Sequence, residues 1–324
     1  MAEFAANEPA RILEVLTASD LHGRVWEMEA VACPLCGEPQ SHPKYAWDSP
    51  YPAVPMRFTV AVCSACSFLF TNPRLSESAL AAYYARESPY STQSYHCLPQ
   101  VRERYVGMVK AMSECGLRGG SSILEIGTDK GQFLVVARER GFEVKGIEIS
   151  SGADIAREKF GLDVERVSIQ QAKLPVGAYD AIVMLDVLEH LHKPIGCLQM
   201  IEHALSDHGL LLVKVPNVRH EHGLYPLLRG QAALRFGAHE HLLHFTKFTL
   251  EHCLQRVGLQ PLVWIGFQPL PRQSACGRLA QKLVCSIAGL YARLNRNWAD
   301  WNVSLVCIAG RSVAKMEAEN ESCQ

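Results

Sequence analysis

Long apolar runs are missing from this chain: no stretch approaches the ~20 residues that a bilayer-spanning helix needs, so no transmembrane segment is expected. An excess of one charge is missing too, since 32 Lys and Arg stand against 33 Asp and Glu for a formal net charge of -1. Such a balance offers no basic field to collect nucleic acid or anionic membrane, and nucleic acid is not expected as a partner. Met1 to Pro9 lacks an apolar stretch with basic flanks, so it does not read as a secretory signal and a cytoplasmic location is expected. There is no internal repeat and no low-complexity tract. A disulfide framework is excluded as well: twelve cysteines are diluted over 324 residues, and four of them fall into two Cys-x-x-Cys pairs that suit a reducing compartment.

What is present is ordinary for a globular chain of about two domains, with 48% hydrophobic and 20% charged residues. A short helix is expected around Pro9 to Ala18, in an N-terminal extension of residues 1–30. Residues 31–75, rich in Pro, Cys and aromatics, read as a small loop-rich module, and 76–118 as a helical connector. After Gly119-Gly120 strands and helices alternate, the pattern of a parallel sheet with crossover helices, through residues 119–312. Strands are expected at Ser122–Ile126, Phe142–Ile149, Leu162–Glu165, Ala181–Leu185, Gly209–Val215, Leu262–Phe267 and Val303–Ala309. Helices are expected near Lys130–Arg140, from Pro194, and from Thr246 to Val257. An amphipathic helix at 277–299 is expected to pack on the protein, with peripheral membrane or partner contact as its alternative, and 313–324 reads as a disordered tail.

Two motifs carry chemistry. Cys33-Pro-Leu-Cys36-Gly and Cys63-Ser-Ala-Cys66, separated by 26 residues, can converge on one ion. Four soft thiolates suit zinc, and a closed shell of four ligands implies a structural role. In the second motif, Ile123-Leu-Glu-Ile-Gly127-Thr-Asp-Lys-Gly131, a buried strand breaks into a glycine-bounded loop and restarts as a helix. That geometry lets backbone N–H groups approach a nucleotide-like ligand, although an ordinary strand-to-helix turn has the same outline. At the carboxyl ends of the next strands stand Glu148, where a carboxylate can hold a ribose, and Asp186. A dinucleotide site wants Gly-x-Gly-x-x-Gly, whereas here Asp129 puts negative charge where a pyrophosphate would lie. A cofactor carrying an amine and a sulfonium tolerates that charge better.

With these residues in view, the segment from about 120 to 268 resembles class I S-adenosylmethionine-dependent methyltransferases. The likeness rests on the glycine loop, the acidic second strand Val144–Ile149, the Asp186-Val-Leu-Glu-His190 segment and a fifth strand ending in Val-Pro-Asn217. It implies an α/β fold: a seven-stranded, doubly wound, Rossmann-like sheet with a small N-terminal zinc-binding module. It also implies that Glu125, Gly127, Thr128 and Gly131 surround the methionine part of the cofactor, that Glu148 holds the ribose, that Asp186 lies near the amine or sulfonium, and that Gln170 contacts the adenine. The cysteine pairs followed by Phe68-Leu-Phe-Thr-Asn-Pro73 and Ala82-Tyr-Tyr84 resemble the zinc-bearing part of bacterial methyltransferases of sugar and cell-surface glycan biosynthesis. The acceptor is accordingly expected to be a small molecule or glycan, such as a sugar nucleotide.

The expected catalytic groups are His241, Glu240 and His190. In the sugar C-methyltransferases a Tyr-His-Glu-His stretch faces the acceptor; here Ala238 stands at the tyrosine position, so the acceptor atom stays open among carbon, oxygen and nitrogen. His220, His222, His239, His241 and His244 are dense enough to raise a second metal site, but the run brings no partner carboxylate in the required geometry. Two further readings remain, an O-methyltransferase of a small aromatic or lipid-like acceptor and a non-catalytic binding protein on a relict fold. The sequence leaves the oligomeric state open.

Overall fold

A computed structural model describes residues 11–49, 54–87, 99–219, 237–266 and 304–311. The amphipathic segment 277–299, the 313–324 tail, His220 and His222 lie outside the described residues. The central element is a seven-stranded sheet built from β7 (Ser122–Ile126), β8 (Glu143–Glu148), β9 (Asp163–Arg166), β10 (Tyr179–Leu185), β11 (Leu205–Pro216), β13 (Leu259–Ile265) and β14 (Ser304–Arg311). Its spatial order is β13-β14-β11-β10-β7-β8-β9. β14 runs antiparallel to both of its neighbours, and the other recorded pairings are parallel. The chain winds outward from β7 through β8 to β9, then crosses back to lay β10 on the other side of β7. That reversal opens a crevice at the carboxyl ends of β7 and β10, where a doubly wound sheet places its ligand.

The burial follows from the composition of the strands. Ala181, Ile182, Val183 and Met184 of β10 are each fully buried, as a strand covered on both faces requires. One face is covered by α2 (Pro99–Glu114), α3 (Gln132–Arg138) and α4 (Gly152–Phe160), through Met108, Met112, Phe133, Leu134 and Ala156. The other is covered by α5 (Pro194–Ala204) and α6 (Lys247–Gln255), through Leu198, Ile201, Leu250 and Leu254. Pro194 opens α5, where its missing N–H costs nothing. Thr246 caps α6 reciprocally: its hydroxyl accepts from the Thr249 N–H, while the Thr249 hydroxyl accepts from the Thr246 N–H at 2.9 Å.

The amino-terminal third differs from its expected form. In place of the helix expected around Pro9 to Ala18 stands strand β1 (Ile12–Ser19), which pairs antiparallel with β2 (Val25–Val31). The β-branched Ile12, Val15 and Thr17 favour extended backbone, and Asp20 closes the hairpin. Its carboxylate accepts from the N–H groups of His22 (2.8 Å) and Arg24 (3.0 Å), from Arg24 Nε (2.7 Å) and from the Trp26 indole (3.0 Å). The cysteine-bearing region is richer in strands than expected. β3 (Ser41–Asp48), β4 (Arg57–Cys63) and β5 (Leu69–Thr71) form a sheet in which Trp47, Phe58, Val60 and Phe70 are buried. β2 also pairs with β6 (Arg74–Leu75), which leads into α1 (Glu77–Glu87).

Two links tie this third to the large sheet. β12 (Leu243–His244), from the loop between β11 and α6, adds a fourth strand beside β5. Beneath it, Phe68 packs on Phe245 with ring centroids 5.3 Å apart. A single apolar core then runs from Phe58 and Phe70 to Ile182, Leu211 and Leu250. The cysteine-bearing sheet is therefore packed against the histidine-rich loop. Among the described residues no helix is long and apolar enough to cross a membrane.

Candidate active site and cysteine cluster

The glycine loop leaves β7 at Ile126. Gly127 and Gly131 both have φ of 75°, a left-handed backbone that other residues adopt only at a cost. Space excludes a side chain as well: a Cβ on Gly127 would lie 2.4 Å from Val187 Cγ2, and one on Gly131 would lie 2.3 Å from Leu162 Cδ1. Asp129, between them, is itself left-handed at φ 47°. Its N–H donates to Glu148 Oε2 at 2.8 Å, while the Ser150 N–H donates to Glu148 Oε1 at 2.7 Å. Glu148 thus fastens the loop to the end of β8, and each of its oxygens keeps a lone pair for a further donor.

Three carboxylates meet here. Glu125 is 3% exposed, and neither its Oε2 nor Asp129 Oδ1 has a hydrogen-bond partner. Burial raises the Glu125 carboxyl well above the usual range, and the charges of Glu148 and Asp129 raise it further. Burial also raises Asp129; Lys130 offsets part of this and Glu148 adds to it. A concentration of buried acid with open acceptor atoms fits a cationic ligand and repels a pyrophosphate. Thr128 is buried beside these groups, whereas Gln170 stands exposed in the turn after β9.

On the other side of the crevice, β10 ends at Leu185. Asp186 is left-handed at φ 57°; its N–H donates to the Lys214 carbonyl at 2.9 Å, and its carboxylate pairs with Lys214 Nζ. Val187, which touches Gly127, leads into a single 3-10 turn, Leu188–His190. The structure brings this turn against the histidine run. The Leu242 N–H donates to the Glu189 carbonyl at 2.8 Å, His190 Nδ1–H donates to the Glu240 carbonyl at 3.0 Å, and the rings of His190 and His241 lie 4.8 Å apart at 77°. Burial lowers His190, leaving a neutral imidazole at neutral pH, and pushes the Glu240 carboxyl up to about 7.

The cysteine-bearing sheet supports the same loop. The Thr71 hydroxyl donates to the His241 carbonyl at 3.0 Å and lies 3.1 Å from His244 Nε2. His239 is stacked on Trp47 at 5.6 Å, with the Tyr83 hydroxyl 3.3 Å from its Nε2. Tyr83 therefore brings a phenol to the segment in which Ala238 replaces the expected tyrosine. These contacts join residues more than 150 positions apart, and no spacing in the sequence signals them. Lys214 and Glu189 were also absent from the expected set. Glu189 belongs to the Asp186–His190 segment, but only its burial distinguishes it.

The four cysteines do converge. Cys33 Sγ lies 3.6 Å from Cys66 Sγ, Cys36 Sγ lies 3.6 Å from Cys63 Sγ, and all four sulfurs lie within 4.8 Å of one another. A disulfide would need about 2.05 Å, whereas a tetrahedron of Zn–S bonds of about 2.3 Å has edges of about 3.8 Å. The two knuckles have the same form. Gly37 and Ser67, each following the second cysteine of its pair, are left-handed at φ 82° and 60°, and their N–H groups donate to the Cys33 and Cys63 carbonyls. The donor set fits a tetrahedral thiophilic ion. His42 is not part of it and contacts the Ser64 hydroxyl at 3.1 Å.

A sheet of this order, with an acidic glycine loop at the point of reversal, is the Rossmann-like sheet of class I S-adenosylmethionine-dependent methyltransferases. The family described as a methyltransferase domain matches residues 100–263, just over half of the chain, and the chain belongs to that family. Among curated proteins, the ubiquinone biosynthesis O-methyltransferase of Dinoroseobacter shibae is 26% identical over 165 residues, covering 48% of this chain and 66% of that protein. The one from Nitrosococcus oceani is 24% identical over 171 residues, covering 49% and 72%. The chain spans about two thirds of the length of these relatives. Among solved structures, the (4+2)-cyclase SpnF is similar with a TM-score of 0.50 and 19% identity, covering 74% of this chain and 97% of that one. That likeness concerns the fold alone, and its named reaction shows that such a fold does not fix the chemistry.

Proposed function

We propose that this chain transfers the methyl group of S-adenosylmethionine to a polar acceptor, a sugar nucleotide or cell-surface glycan precursor. The observation that carries the reading is the meeting, across one crevice, of a carboxylate-lined glycine loop and a half-buried pair of imidazoles, His190 and His241, joined through the Val187–Gly127 contact. On the cofactor side, Glu125, Gly127, Thr128 and Gly131 receive the methionine part. Glu148 receives the ribose, Gln170 faces the adenine, and Asp186, steadied by Lys214, lies toward the sulfonium. When bound, the cofactor supplies an electrophilic methyl group.

On the acceptor side, His241 takes the acceptor's proton, with His190 and Glu240 holding it in place. With the proton on His241, the acceptor atom would take the methyl group that the bound cofactor supplies, the electron pair of the carbon–sulfur bond remaining on sulfur. Burial keeps His190 neutral, as this arrangement requires. The four cysteines hold a structural zinc in a module of residues 31–75, and that module braces the acceptor loop through Thr71 and Trp47, with Tyr83 of the following helix α1 beside them. O-methylation of a small aromatic or lipid-like acceptor is the second reading, favoured by the names of the curated relatives.

Methyl-labelled cofactor offered with separate pools of sugar nucleotides, glycan precursors and phenols decides between them. Label is expected in the sugar or glycan pool and should fall about 10²–10⁴-fold in His241→Ala. Label confined to the phenols favours the second reading. Label in no pool, with cofactor binding intact, overturns both and leaves a binding protein.

A further inference from the structure

The histidine run's own carboxylate, Glu240, does not group with its imidazoles as a metal set, but the fold supplies another from beyond the end of β10. A Glu189 carboxylate oxygen and one ring nitrogen each of His190 and His241 lie within 4.8 Å of one another. Glu189 is 1% exposed, and neither of its carboxylate oxygens has a hydrogen-bond partner. A buried carboxylate is ordinarily paired, hydrogen-bonded or bound to a metal. The surroundings are built as for a ligand set. Because His190 Nδ1–H is given to the Glu240 carbonyl, the imidazole lone pair sits on Nε2, and a backbone acceptor of this kind is what orients metal-binding histidines. His241 is held by its own N–H to the Gly237 carbonyl (2.8 Å) and by the Thr71 hydroxyl on its carbonyl.

We propose that Glu189, His190 and His241 bind a divalent first-row transition ion, such as Zn²⁺, Mn²⁺, Fe²⁺ or Co²⁺, whose open positions take an acceptor hydroxyl. Two imidazoles and one carboxylate suit these ions better than Mg²⁺, which prefers oxygen, and three protein ligands leave coordination positions vacant. The inference rests on the methyl-transfer reading and narrows it to an oxygen acceptor. Coordination lowers the pKa of the acceptor hydroxyl and its proton passes to solvent. The oxygen then bonds to the methyl carbon as the carbon–sulfur bond breaks with its pair on sulfur. Metal coordination takes the place of proton transfer to His241, whose lone pair is used by the ion.

Zinc-replete protein, its thiolate cluster already filled, is titrated with Mn²⁺, with free Mn²⁺ read by electron paramagnetic resonance and heat by calorimetry. One Mn²⁺ per chain is expected at micromolar concentration. Glu189→Gln and the more accessible His241→Ala are each expected to weaken it at least about 100-fold, while both keep their zinc and still bind S-adenosylhomocysteine. The inference is overturned if neither Mn²⁺ nor a second equivalent of Zn²⁺ binds saturably to parent protein that binds S-adenosylhomocysteine, or if both variants bind metal like the parent. Loss of S-adenosylhomocysteine binding by the parent overturns the methyl-transfer reading instead, whatever the metal result.

Discussion

Gly127→Ala isolates the geometry on which the crevice depends. The substitution imposes two separable costs. The backbone at φ 75° is left-handed, which costs an alanine about 1–2 kcal/mol. The new methyl would also lie 2.4 Å from Val187 Cγ2, more than 1 Å inside ordinary carbon–carbon contact, and overpacking of this kind costs about 1–3 kcal/mol. Urea denaturation should therefore show a loss of about 2–5 kcal/mol, and calorimetry a fall of at least ~10-fold in affinity for S-adenosylhomocysteine as the loop is displaced. Adding Val187→Ala removes the colliding atom, and the nearest remaining Val187 atom, Cβ, lies 3.6 Å away. The double variant should then recover the packing cost but not the backbone cost, a coupling of about 1–3 kcal/mol in the mutant cycle. A single variant within ~0.5 kcal/mol of the parent, or an additive cycle, would refute the close approach of the loop to the turn after β10.

Other predictions probe the site and its supports. Burial raises the Glu125 carboxyl well above the usual range, and the cofactor's ammonium favours its ionised form, so binding of S-adenosylhomocysteine should be accompanied by proton release and tighten as pH rises. Calorimetry in buffers of different ionisation enthalpy reads the release directly; Glu125→Gln should abolish it, and an unchanged proton count in that variant would rule the assignment out. Elemental analysis should find about one zinc per chain, lost together with cooperative unfolding in Cys33→Ser/Cys36→Ser; parent protein without stoichiometric metal contradicts the thiolate reading. For Asp20, burial raises the carboxyl, but the hydrogen bonds from Trp26, Arg24 and His22 outweigh it and hold the group well below the usual range. Its folded pKa is depressed, so its contribution is fully present above the unfolded value near 3.8 and is lost as pH falls through the folded one. Acid unfolding curves of the parent and Asp20→Asn should therefore converge at low pH, and a constant separation would remove Asp20 as a source of acid sensitivity.

The large sheet was legible because its signals are local. Apolar runs such as Ala181–Leu185 mark buried parallel strands, glycines bound the loop, and Thr246 and Pro194 mark helix starts. The cysteine pairs announced their convergence through spacing alone. The strand at Ile12–Ser19 is not legible locally because its hydrophobic residues suit either period, and the Asp20 turn that selects the hairpin draws on Trp26, which does not belong to the segment. The crevice was only half legible. Glu148, Asp186 and His241 stand out by type and position, but Glu189 becomes distinctive only when the Leu242–Glu189 hydrogen bond closes two loops over it. The brace from Thr71 to His241 and His244 is a long-range contact between elements that show no local sign of one another.

The central claim, that the acidic glycine loop at Gly127–Gly131 is built for S-adenosylmethionine, is tested most directly by titrating the full chain with S-adenosylhomocysteine. Saturable binding at one site per chain in the micromolar range is predicted, weakened at least ~10-fold in Glu148→Ala. Absence of binding up to high micromolar concentration, or a Glu148→Ala variant that binds like the parent, would contradict it.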